Sequence, residues 1–246
     1  MSKIGTFRLG SFGRLGNQLF QAYACIGYKF RYGIDELWFN SAKVLEIIPI
    51  DYNLGNSLQN AVMLRDGGSS IKFTDHARHD VAEMVGYFQS YRYHDDIPER
   101  YFNPKLDPIL NNKYRHQIEE CEQSTFMHVR RGDYVKVSSH LLDVNYYKTA
   151  LEKVSNYGGK LFVFSDDIPY CKKHFGDAPI YVSGNSPVED LLLMSICKNG
   201  ILSNSSFSWW GARFNAGVGK YLAPERWFDP NNVDSKDIVR ENWTTI

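Results

Sequence analysis

From Ser124 onward the chain alternates between short apolar runs and stretches of helical periodicity, and few architectures accept that pattern. Residues 124–130 read as a strand, and Tyr146, Tyr147, Ala150, Leu151 and Val154 then mark a helix. Strand Lys160–Phe164 runs into Ser165-Asp166-Asp167, a short helix around Tyr170–His174, and strand Pro179–Val182. Ser186-Pro187-Val188-Glu189 is a capping box with proline at the first helical position. Its helix carries Val188, Leu191, Leu192, Ser195 and Ile196 on one face. Strand Gly200–Leu202, the polar turn Ser203–Ser206, a helix with Phe207, Trp210, Gly211 and Phe214 on one face, and strand Lys220–Leu222 complete the series. Repeated strand–helix units build a parallel sheet with helices on both faces, so the fold class is α/β.

A parallel sheet sends its strand ends to one rim, where ligands bind. Three polar clusters fall at such ends: His128–Asp133, Ser165–Asp167 and Ser203–Ser208. In the first, two guanidiniums, an imidazole and a carboxylate crowd together, which is costly unless a charged ligand or a proton transfer uses them. Arginines offer bidentate donors to phosphate. Serines at a helix N-terminus add hydroxyls, backbone N–H groups and the helix dipole. Asp166 or Asp167 suits the N1–H and exocyclic amine of guanine. Together the clusters fit a nucleotide diphosphate. The ordinary roles compete with this: a solvated charge run, N-caps for the serines, an exposed turn for the aspartates. Asp166 and Asp167 are adjacent, not spaced D-x-D, so a metal is not expected there. His76 and His79, at i, i+3, have no supporting carboxylate or cysteine group, and no metal is expected at that pair either.

In the first half, Ile4–Leu9 reads as a strand that enters Gly10-Ser11-Phe12-Gly13-Arg14-Leu15-Gly16-Asn17-Gln18. Leu19, Tyr23, Ile26 and Phe30 then fall on one helical face, closed by Gly33. The evenly spaced glycines are not a dinucleotide fingerprint. Gly16 lets backbone approach a ligand, and Asn17-Gln18 either caps the helix or reaches sugar hydroxyls. Glu36–Phe39 and Val81–Phe88 read as further strands, with a turn at Gly67–Ser70 between them. The polar segment 111–121 sets a domain boundary, giving domains 1–120 and 121–246.

Lys plus Arg (28) equals Asp plus Glu (28), so nothing draws the chain toward nucleic acid or an anionic membrane. The four cysteines are widely spaced without C-x-x-C, which fits a reducing compartment. No apolar leader opens the sequence and no run approaches the ~20 residues of a membrane span. A cytoplasmic protein is expected, with peripheral membrane contact left open.

Five motifs then carry a resemblance: Gly13–Phe20, Gly86-Tyr87-Phe88-Gln89-Ser90, His128-Val129-Arg130-Arg131-Gly132-Asp133-Tyr134, Phe164–Asp167, and Ser203-Asn204-Ser205-Ser206-Phe207-Ser208-Trp209-Trp210-Gly211-Ala212. In order and approximate spacing they resemble the bacterial α-1,2-fucosyltransferases. The resemblance implies a GT-B-like architecture: two Rossmann-type domains with the active site in the cleft between them, the first facing the acceptor and the second binding GDP-fucose. It implies GDP-β-L-fucose as donor, a galactose-terminated glycan as acceptor, inversion at C1, and no metal or other cofactor. By the same analogy Arg130 contacts the donor phosphate, Ser205, Ser206 and Phe207 the diphosphate, and His128 with Asp166 or Asp167 the guanosine. Asp133 is the candidate base, Asn17 a residue positioning fucose or acceptor, and Arg131 a structural ion-pair partner. The rivals are transfer to another hydroxyl or from GDP-mannose, a non-catalytic GDP-sugar or glycan-binding protein, and adhesion through Arg131-Gly132-Asp133.

Overall fold

The computed structural model describes residues 1–67, 71–136, 140–154, 159–215, 219–228 and 235–246. The chain forms two compact units, Met1–Lys105 with Pro230–Arg240, and Leu106–Asp229 with Glu241–Ile246. Residues 68–70 of the expected turn at Gly67–Ser70 lie outside the described residues.

The first unit contains β1 (Lys3–Thr6), α1 (Leu15–Tyr32), β2 (Glu36–Phe39), β3 (Asn53–Leu54), β4 (Val62–Arg65) and β5 (Val81–Val85). The sheet order is β3-β2-β1-β5-β4, parallel throughout. Leu19, Tyr23 and Ile26 of α1 are buried, as their spacing requires, and Gly33 closes the helix at φ 64°. β1 is shorter than the expected Ile4–Leu9. Asn40 takes over the backbone of Leu9, its Oδ1 accepting from Leu9 N (3.1 Å) and its Nδ2 donating to Leu9 O (2.8 Å). β5 likewise stops at Val85, because Gly86 (φ 154°) and Phe88 (φ 51°) leave strand geometry. β3 and β4 lie at the sheet edges and expose Leu54, Val62 and Met63, so burial imposed no pattern that marks them in the sequence.

The second unit contains α2 (Lys113–Glu119), β6 (Ser124–Val129), α3 (Val144–Val154), β7 (Lys160–Ser165), α4 (Ile168–Phe175), β8 (Ile180–Tyr181), α5 (Pro187–Ile196), β9 (Asn199–Ile201), α6 (Ser206–Phe214), β10 (Tyr221–Ala223) and β11 (Thr244–Thr245). The order β11-β10-β9-β6-β7-β8 is again parallel. Residues 106–120 stand in this unit and 230–240 in the first, where Asp237 accepts from Phe73 N (3.0 Å) and Tyr91 N (2.9 Å), whereas the sequence divides the chain once, at 120/121. Asn112 ties residues 106–120 to the start of α5, its Nδ2 donating to Asn185 Oδ1 (3.0 Å) and Glu189 Oε1 (3.2 Å). The capping box at Ser186 and Glu189 forms. Every residue of β6 is buried, as expected of a central strand covered on both faces. Met127 and Val129 enter a cluster with Tyr147, Ala150, Val154 and Cys171, while alternation sends Phe126 and His128 to the opposite face.

The order of this sheet reverses at β6. The chain runs outward from β6 to β7 and β8, then crosses back to β9 on the other side of β6. Such a reversal opens a crevice at the carboxyl ends of the two strands that flank it, here β6 and β9. Among the described residues, no helix is long and apolar enough to cross a membrane.

Candidate functional site

The carboxyl ends of β6 and β9 carry His128 and Ser203. His128 is 6% exposed, and its Nδ1 lies 2.7 Å from Ser203 Oγ. Behind it Ser208 Oγ is 3.4 Å from Ser203 Oγ and donates toward the carbonyls of Ser203 and Ser205, at 3.2 Å each. The Phe207 ring lies 5.5 Å from the imidazole. Burial, and then the charge of Arg130, push the His128 pKa down to about 3. The imidazole is therefore neutral at neutral pH and serves as a hydrogen-bonding group, not a cation. Ser205 is the N-cap of α6, accepting from Phe207 N at 3.3 Å, and Ser206 is the first residue of that helix. Capping is compatible with the anion-binding role expected of these serines, since it keeps the first turn of α6 at this rim.

Arg130 leaves the end of β6 between two carboxylates. Its Nη1 donates to Asp166 and its Nη2 to Asp133. The guanidinium also lies 5.5 Å from the centre of the Tyr134 ring. Tyr134 donates to the carbonyl of Asn204 (3.3 Å), joining the turn after β6 to the turn after β9. The sequence assigns Tyr134 no role of its own and Ser203 only a place in the polar turn. Both lie inside the motifs, but their roles depend on partners some seventy residues away.

Asp166 and Asp167 shape this turn. Asp166 Oδ1 accepts from Arg131 N (2.8 Å) and Gly132 N (3.1 Å), and its other oxygen takes Arg130. Asp167 caps α4 by accepting from Tyr170 N (3.1 Å) and pairs with Arg131 Nε (3.0 Å). The hydrogen bond from Tyr170 N, followed by the Arg131 pair, holds its carboxyl below the usual range. Arg131 lies 3.5 Å from the centre of the Tyr170 ring. Both aspartates, expected at a guanine base, are committed to backbone and arginine in this arrangement.

Gly16 and Asn17 belong to the first unit. Gly16 is buried at the start of α1, and Asn17 Oδ1 accepts from Gln89 Nε2 at 2.8 Å. This bond links the glycine-rich turn to the Gly86–Ser90 motif. Gly13 (φ 75°) lies against Asn17, where a Cβ would come within 2.2 Å of the amide nitrogen. No group of three or more histidine, cysteine or acidic side chains among the described residues is arranged to hold a metal ion.

The model of glycosyl transferase family 11 matches residues 32–246. An α-1,2-colitosyltransferase of Escherichia coli is 35% identical over 181 residues, covering 67% of this chain and 62% of the relative. The galactoside 2-α-L-fucosyltransferase Sec1 of Mus musculus is 33% identical over 122 residues, 44% of this chain and 33% of that protein. The chain thus spans less than two thirds of the length of these relatives. The α-1,6-fucosyltransferase NodZ from Bradyrhizobium, co-crystallised with GDP, aligns with a TM-score of 0.57 at 11% identity, covering 86% of this chain and 91% of that one. This likeness concerns fold, and with two parallel-sheet units it identifies the architecture as GT-B-like α/β.

Proposed function

We propose, on the premise that this chain belongs to glycosyl transferase family 11, that it moves L-fucose from GDP-β-L-fucose to the 2-hydroxyl of a terminal β-galactoside. The observation that carries the reading is Arg130 at the switch point, at the end of the strand whose neutral His128 meets Ser203 and, at the start of α6, Phe207. The acceptor oxygen attacks C1 of fucose, and the bond from C1 to the diphosphate oxygen breaks. GDP departs with the electron pair, and inversion follows from the single displacement. Arg130 and the first turn of α6 stabilise the charge that grows on the leaving diphosphate. His128, Ser205, Ser206 and Phe207 line the donor side.

Asp133, 56% exposed, occupies one edge of Arg130. A diphosphate that takes that edge releases Asp133, and the freed carboxylate then accepts the proton of the acceptor hydroxyl. Asn17 positions fucose or acceptor. The cationic stabilisation comes from the protein, so transfer is expected to persist in a chelator. The described cysteines are all free thiols, which fits an enzyme working in the cytoplasm.

The test is incubation with GDP-fucose and a panel of β-galactosides, with the linkage read by NMR. An α-1,2 product supports the reading. Another linkage overturns its regiochemistry, and absence of turnover with every acceptor favours a binding protein instead. A second reading, colitose in place of fucose, is favoured by the relative of that specificity, and GDP-colitose belongs in the same panel.

Gly132 offers a local check on the turn. A Cβ there would stand 2.5 Å from Asp166 Oδ2 and 3.6 Å from the Arg130 guanidinium carbon. Gly132→Ala is expected to displace the Asp166 carboxylate and lower kcat/KM by about 10²-fold, the scale of a misplacement of about 1 Å. Unchanged kinetics would remove Asp166 from the placement of Arg130.

A further inference from the structure

The turn after β5 holds Phe88 at φ 51°, a conformation that large side chains rarely adopt. Asp66, at the end of β4, fixes it there: its Oδ2 accepts from Tyr87 N (2.6 Å) and Phe88 N (3.1 Å). Gly86 (φ 154°) makes the approach feasible, because a Cβ there would meet the Asp66 carboxylate at 2.5 Å. Strain of this kind persists only where the surroundings over-determine it, and it concentrates at functional positions.

The pinned turn sorts three consecutive side chains. Phe88 goes into the core, Gln89 donates to Asn17, and Tyr87 turns outward, 41% exposed. The Tyr87 ring meets Phe12 at 5.9 Å and 88°. Phe12 stands next to Gly13, which abuts Asn17, so the aromatic pair and the amide pair are neighbours in the first unit. Neither Gln89 Oε1 nor the Tyr87 hydroxyl makes a hydrogen bond among the described residues. An exposed ring beside amides matches a pyranose, whose C–H face packs on an aromatic surface while its hydroxyls bond to amides. The groups offered to the sugar are neutral; a cation, Arg8, lies over the Phe12 ring at 5.6 Å from its centre, on the ring that Tyr87 meets edge-on.

We propose that Tyr87 is the stacking surface for the galactose ring of the acceptor, that Gln89 and Asn17 bind its hydroxyls, and that Asp66 is the residue positioning Tyr87 and Gln89. The proposal rests on the acceptor assignment above and is tested apart from it. Saturation-transfer NMR of methyl β-galactoside and lactose, with GDP present, is run on the wild type, Tyr87→Phe, Tyr87→Ala and Asp66→Asn. Saturation of the galactose ring protons is expected for the wild type and Tyr87→Phe, lost in Tyr87→Ala and reduced in Asp66→Asn. In kinetics, Tyr87→Ala is expected to raise the acceptor KM about tenfold, the scale of one aromatic contact, with the GDP-fucose KM within about twofold of wild type. The proposal fails if Tyr87→Ala keeps the wild-type saturation pattern, if it shifts the donor KM equally, or if the wild type binds no galactoside. A wild type that binds galactoside through Tyr87 but never turns over GDP-fucose would overturn the transferase reading and leave this one standing.

Discussion

Arg130→Ala is expected to lower kcat for fucosyl transfer by about 10²–10³, the usual effect of removing one donor aimed at developing charge. Arg130 is held from both edges by Asp133 and Asp166, so it is oriented before the donor arrives and pays little rotamer entropy on binding. Arg130→Lys should recover only part of the loss, because an ammonium supplies charge without the planar fork. Asp133→Asn separates the two roles of this pair. Loss of a competing carboxylate leaves GDP affinity equal to or higher than wild type, while loss of the base lowers kcat by about 10². Calorimetric GDP binding and steady-state kinetics on the three variants decide the matter. Full transfer by Arg130→Ala would end the donor assignment, and full kcat in Asp133→Asn would end the base assignment.

Gly27→Ala is expected to give the largest loss of stability from a single methyl group in the first unit. A Cβ at Gly27 would lie 1.8 Å from the carbonyl oxygen of Tyr93. The obstacle is backbone, so no side-chain rotation relieves it. Alanine gains about 1 kcal/mol in helix propensity over glycine, but overpacking of this severity costs about 3 kcal/mol or more, so the clash wins. The cost falls on the segment that also carries the Gly86–Ser90 turn, since Tyr93 lies three residues after Ser90. Thermal unfolding by calorimetry, with hydrogen exchange on α1, checks this. A variant as stable as wild type would mean that the segment at Tyr93 moves away from α1 at no cost.

Particular residues show how far local sequence carries the fold. Leu19, Tyr23 and Ile26 announce α1 because a buried helical face repeats every three to four residues. Ser186 and Glu189 announce α5 because both halves of a capping box are local. The apolar runs of β1 and β5 extend past the strands themselves, because Asn40 and Asp66 end them from thirty-one and twenty-one residues away. The exposed edge strands β3 and β4 leave no mark in the sequence, because no core face constrains them.

By itself the sequence determined the α/β class, the parallel sheet of the second unit, and the rim on which His128, Arg130 and Ser203–Ser206 stand, since all of these follow from periodicity and capping within a few residues. Only the tertiary structure decided which polar groups are paired there. The register of β6 against β7 sets Val129 opposite Ser165, and the chains leaving those strands bring Arg130 to Asp166 and Arg131 to Asp167. The register of β6 against β9 sets Met127 opposite Ile201 and brings His128 to Ser203. Register depends on how whole strand faces pack, so no window of local sequence contains it.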